Sequence, residues 1–164
     1  AGVPTVPERL STLCTSCGLC CDGSLFTQVP LLPAEAVALR GRGLALRQIG
    51  ERSVLPQACA ALDGHCCSVY AERPAGCRRY VCMLHGALAA DEVGLAEALE
   101  LVARTRARIA GLAEALGPGE GAPLQRARAQ VRDGSLTPQA RAALGDVARE
   151  LGRHFDREAG RCGE

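Results

Sequence analysis

Ten cysteines stand in a chain of 164 residues, and nine of them fall between Cys14 and Cys82. The densest run, CTSCGLCC at 14–21, puts four thiols into eight positions. A C-x2-C spacing lets two sulfurs converge on one centre across a small loop, as a metal–thiolate site requires. Read as a helix, the stretch places Cys14, Cys17 and Cys21 on one face with Cys20 beside Cys17. Gly18 instead predicts a break that lets the backbone wrap. Adjacent cysteines such as Cys20 and Cys21 rarely bond to each other without strain, but they can serve two different centres. A second cluster, CAALDGHCCSVYAERPAGCRRYVC at 59–82, holds Cys59, Cys66, Cys67, Cys77 and Cys82. Four thiolates from each cluster suffice for two four-cysteine centres, and metal ions would offset most of the negative charge. Arg73, Arg78 and Arg79 lie between these cysteines and can donate N–H bonds to sulfur, which tunes affinity and redox potential.

Cys14, Cys17 and Cys20 match the first three positions of the C-x2-C-x2-C ferredoxin run. The fourth position departs, because Cys21 follows at once and no Cys-Pro appears. Taken in order, CTSCGLCC and C-x7-C-S-V-Y-x2-R-P-x2-C-R-x-Y-x-C resemble the CxxCxxCC zinc- or iron-chelating family, also called YkgJ-like cysteine-cluster proteins. The resemblance covers roughly residues 14–82. It implies Cys14, Cys17, Cys20, Cys21, Cys59, Cys67, Cys77 and Cys82 as metal ligands. Tyr70, Arg73, Pro74 and Arg78 become framework around them, with Arg73 and Arg78 at the cofactor. Cys66 and Cys162 fall outside the pattern and are expected to be spares. The family implies metal binding and an iron–sulfur assignment. Some relatives carry the domain in methylases acting on flagellin lysines, but no methyl-donor site is evident here.

Four readings follow. The leading one is a cytoplasmic protein holding iron on thiolates as one or two 4Fe-4S clusters, with a redox role. The second is a structural zinc module whose helical part binds another protein. Thiolate spacing alone does not separate the two metals. The third is a thiol oxidoreductase using C-x2-C directly. The fourth is an exported disulfide scaffold, against which the vicinal cysteines and the absence of a leader pattern argue. Whether the chain is an enzyme stays open.

Other classes are narrowed by composition. Arg accounts for all 19 Lys+Arg residues, so a Schiff-base or P-loop lysine is excluded. Asn is absent, which removes N-glycosylation. The net charge is +1, with no basic stripe interleaved with aromatics, so nothing points to nucleic acid. No apolar run reaches membrane-spanning length.

The elements that must position the thiols follow from the pattern. Residues 1–90 read as an irregular cysteine-rich metal-binding region and 91–164 as a helical region, the two forming one compact unit of mainly α class. Hydrophobic residues make up 48% but aromatics only 2%, so the core is built from small aliphatic side chains and is thin. Leu95, Leu99, Val102, Ile109, Leu112 and Leu116 recur at helical spacing, with Asp91 as cap and Gly117-Pro118-Gly119 as stop. A second helix is expected from Pro123 to Asp133, with Leu124, Ala127 and Val131 on its apolar face. A third starts at Thr137–Pro138 and carries Ala140, Leu144, Val147 and Leu151. These stripes are expected to pack on one another and on the cysteine-rich part. His85 and His154 read as ordinary helix residues. In the first region, Pro33 opens a short helix through Leu39, SVLPQ is extended, and ERPAGCRRYVCML reads as one helix starting at Pro74.

Overall fold

The computed structural model describes residues 2–156. Seven α-helices and five short strands follow the chain among them. The first helix, α1 (Val6–Cys17), starts just after Thr5, whose N–H donates to the Glu8 carboxylate at 2.7 Å. It stops at Gly18, whose φ of 67° is the left-handed conformation that ends a helix most cheaply in glycine. The backbone then wraps, with the N–H groups of Cys21 and Asp22 both returning to the Gly18 carbonyl. The break expected at Gly18 is therefore present, while the start of α1 at Val6 carried no signal in the apolar pattern.

A small sheet follows. β1 (Gln28–Pro30) and β2 (Arg47–Ile49) each pair antiparallel with β3 (Arg52–Pro56), so the order is β1-β3-β2. Helix α2 (Pro33–Gly41) packs on β3. Val29, Leu39 and Leu55 are buried together, with Cys59 and Cys77 packed against them. A two-stranded hairpin comes next, β4 (Leu62–Asp63) with β5 (Cys66–Cys67). A 3-10 turn (Tyr70–Glu72) leads into α3 (Ala75–Arg79). Gly76 lies so close to β1 that a Cβ there would stand 2.7 Å from the Val29 side chain. Only glycine lets α3 dock at that distance.

The helical layer closes the molecule. It contains α4 (Met83–Ala89), α5 (Leu95–Leu116), α6 (Pro123–Asp133) and α7 (Pro138–His154). α5 packs on both α6 and α7, and α1 packs on α4 and α5. One continuous core therefore joins Leu13, Cys17 and Leu19 of the cysteine-rich segment to Leu88, Val102, Leu112, Val147 and Phe155. Thr137 caps α7 by accepting from the Ala140 N–H at 3.2 Å. Glu150 is buried at 6% exposure, and its carboxylate accepts from Arg104 on α5 at 2.8 Å.

Three local expectations need correction. ERPAGCRRYVCML is two helices, because Tyr80 is extended and Cys82 caps a new helix, accepting the His85 N–H at 3.3 Å. Asp91 does not cap α5. Gly94 stands at that position, and the Asp91 carboxylate takes Arg9 Nη2 at 2.6 Å instead. Val131 is 45% exposed, since an 11-residue helix lying on α5 and α7 buries only Leu124 and Ala127. No helix among the described residues is long and apolar enough to cross a membrane.

Candidate metal centre

The thiols arrive from six different pieces of chain. Cys14 and Cys17 lie on the last turn of α1, and Cys20 and Cys21 on the turn after Gly18. Cys59 is fixed by donating its N–H to the Cys21 carbonyl at 2.7 Å. Cys67 lies on β5, Cys77 on α3, and Cys82 at the N-cap of α4. A cavity of about 80 Å³ lies between these pieces. Seven of the eight cysteines implied as ligands line it: Cys14, Cys17, Cys20, Cys21, Cys67, Cys77 and Cys82. Cys59 does not line it and packs with Cys77 against Val29, Leu39 and Leu55.

The rest of the wall is mostly apolar, with Leu13, Phe26, Val29, Tyr80, Leu84 and Phe155. His65 and Arg73 also line it, and among the described residues no carboxylate does. Arg73 lies over the Tyr70 ring, 3.8 Å from its centroid. Arg78 is exposed on α3 and is not part of the wall. His85 lies near Arg73 on α4, and burial, reinforced by that guanidinium, lowers its proton affinity. His154 ends α7. Cys162 lies outside the described residues.

Cys66 and Cys67 separate for a simple reason. Neighbours on a strand point to opposite faces. Cys67, opposite Leu62, reaches the cavity, while Cys66, opposite Asp63, is exposed.

Burial pushes the thiols up. Cys17 and Cys21 are each raised to about 12 and Cys77 to about 11. Like charge from neighbouring cysteines adds to burial at each, and Arg73 pulls back on Cys14 and Cys77. A metal entering at neutral pH must therefore displace protons, and its affinity rises with pH. The same shift destabilises the metal-stripped protein in alkali. Above pH 9 the unfolded Cys17 thiol loses its proton while the folded one keeps it until about pH 12, so stability falls as pH rises. Cys17 is only 8% exposed, and its shift alone corresponds to about 4 kcal/mol at the alkaline end. The urea midpoint of chelated protein is expected to drop steadily from pH 9 to 12, with a shallower slope in Cys17→Ala. A flat midpoint across that range would contradict it.

Sequence reasoning did not find two residues that brace this site. Arg106, on α5, donates from Nη2 to the Cys17 carbonyl, placing a cation at the C-terminus of α1. In ARTRARIA it reads as one of several solvated arginines, and only the α1–α5 packing turns it inward. Gln57 is buried, and its side-chain amide faces the carbonyls of Cys21 and Cys20, to which its nitrogen donates at 2.9 and 3.3 Å once the amide is turned over. Gln125 of α6 holds the Gln57 carbonyl at 2.8 Å. Arg106→Leu is expected to lose about 2 kcal/mol of stability, the worth of a charge-assisted hydrogen bond plus an uncapped helix end. Equilibrium urea unfolding measures this, and a change below 0.5 kcal/mol, roughly what an ordinary surface substitution gives, would remove Arg106 from the role.

The donor set fits a metal. Soft thiols dominate the wall, and the buried Nε groups of Arg73 and Arg106 have no acceptor, as expected where thiolate charge is to be compensated. Among the described residues no three His, Cys, Asp or Glu side chains form a ready-made single-ion cage, so the thiols must turn inward to close on a centre. A thiol-walled cavity between a helical layer and a small sheet is the architecture of a metal-chelating domain. The family model described as "Putative zinc- or iron-chelating domain" (CxxCxxCC) matches residues 13–98. That is just over half of the chain, which belongs to this family. No curated protein and no solved structure matches the chain.

Proposed function

We propose that the domain holds iron as iron–sulfur cluster on Cys14, Cys17, Cys20, Cys21, Cys59, Cys67, Cys77 and Cys82, and serves as an electron carrier. The observation that carries this reading is the cavity wall: seven thiols, an apolar surround and, among the described residues, no carboxylate. Thiolate-rich, carboxylate-free sites suit iron–sulfur clusters and zinc over hard cations. When bound, a cluster supplies one-electron chemistry at a potential set by charge, hydrogen bonds and burial. The chain's own part is to exclude water with Leu13, Phe26 and Phe155. It also supplies N–H groups to sulfur, as His85 does to Cys82 (3.3 Å) and Ala61 to Cys59 (3.4 Å).

Structural zinc is the second reading. The three-residue core of the sheet favours it, because so small a core leaves folding to the metal. Purification without oxygen, followed by iron, zinc and acid-labile sulfide analysis, separates the two. Iron with matching sulfide supports the cluster. Zinc without sulfide overturns it.

A further inference from the structure

We infer that the eight cysteines form two neighbouring four-thiolate centres, Cys14/Cys17/Cys20/Cys82 and Cys21/Cys59/Cys67/Cys77, which share the cavity wall and are joined through the Cys20–Cys21 peptide. This rests on the metal-binding reading of the site, but not on which metal is bound.

Packing makes the division. Cys17 is buried in the large core shared with the helical layer, and Cys82 packs against that same core. Cys59 and Cys77 pack instead against Val29, Leu39 and Leu55 under the sheet. The two cores are distinct, so their cysteines are held by different parts of the fold. Backbone contacts assign the remainder, although β5 also packs on α1. Cys14 is three residues before Cys17 on α1, and α1 packs on α4, which Cys82 caps. The Cys59 N–H bonds the Cys21 carbonyl, and the Ser68 N–H beside Cys67 bonds the Ala61 carbonyl two residues after Cys59.

Cys20 and Cys21 are the junction. Both line the cavity, but the Cys21 carbonyl is tied to the Cys59 N–H, which leaves Cys20 to the quartet of Cys14, Cys17 and Cys82. Each centre takes a metal of the class that accepts four thiolates, either one zinc ion or one four-iron cluster.

The test uses the full chain, loaded and kept free of oxygen. Cys82→Ser and Cys59→Ser are each expected to retain half the wild-type metal, and the double variant none. N-ethylmaleimide should label Cys14, Cys17 and Cys20 in Cys82→Ser while Cys21, Cys59, Cys67 and Cys77 stay protected. Cys59→Ser should give the reverse pattern, and exposed Cys66 should label throughout. Loss of all metal from a folded single variant, or retention of three-quarters or more, overturns the division. If a variant does not fold, the wild type reads the same quantity. Limiting EDTA, labelling and intact-chain fragmentation should give half-loaded chains with one complete quartet labelled. Labels mixing the quartets, or release of all eight thiols in a single step, overturn the proposal. Two zinc ions per chain without sulfide would end the iron–sulfur reading and leave the division standing.

Discussion

Chelation of the metal is expected to melt residues 28–80 and to leave the helical layer folded. Under the sheet Val29, Leu39 and Leu55 are buried as a group, with Leu31, Leu44 and Leu46 only partly buried against them. The strands there are two to five residues long. So small a core orders the segment weakly, and metal binding to a site that the unfolded chain lacks adds directly to its folding free energy. The other core is of a different order, with sixteen buried residues joining α1, α4, α5, α6 and α7. Hydrogen exchange read by mass spectrometry should show protection lost across 28–80 and kept across 95–154. Helix α1 should stay protected too, because Leu13 and Cys17 are seated in the larger core. Uniform loss along the chain, or no loss at all, would refute this.

Cys67→Ser is expected to lose the metal held with Cys21, Cys59 and Cys77 and to destabilise the sheet region, while Cys66→Ser keeps full metal content. A serine hydroxyl donates poorly to soft and borderline metals, so replacing a ligand sulfur costs the site. Cys66 is exposed on the outer face of the β4–β5 hairpin, where substitutions usually change stability by less than about 0.5 kcal/mol. The measurement is metal per chain, made without oxygen so that oxidation of a cluster does not imitate ligand loss. The reverse result would mean that β5 is read one residue out of register. A one-residue slip turns every side chain of a strand to the other face, and the placement of Tyr70, Arg73 and Cys77 would fall with it. Cys162→Ser is expected to behave like Cys66→Ser.

Much of the helical layer was legible in the chain. Leu95, Leu99, Val102, Ile109, Leu112 and Leu116 repeat at helical spacing; α5 buries Val102, Ile109 and Leu112, and the other three are partly buried against the same core. Pro123, Gly134, Thr137 and Pro138 act through local φ preferences and a side-chain cap, so the bounds of α6 and α7 needed no tertiary information. Gly18 likewise ends α1 by its own conformational freedom. The short strands were less visible, since a three-residue strand carries too few alternations to show a period of two.

The site divides the same way. The cysteines, their C-x2-C spacing and the Y-x2-R-P-x2-C-R run are properties of the sequence, and they are what places the chain in a zinc- or iron-chelating family. Which thiols face one another is not such a property. Cys21 and Cys59 are 38 positions apart and meet through a backbone hydrogen bond. Cys66 and Cys67 are adjacent and part company at a strand pleat. Arg106 and Gln125 lie beyond the family-matched segment or its cysteines, yet they brace the cysteine loop from α5 and α6. Those relations depend on how a long helix stacks across α1, on a glycine that lets α3 approach β1, and on two separate cores. Sequence spacing alone cannot specify them, because each is a contact between segments whose local preferences are satisfied with or without it.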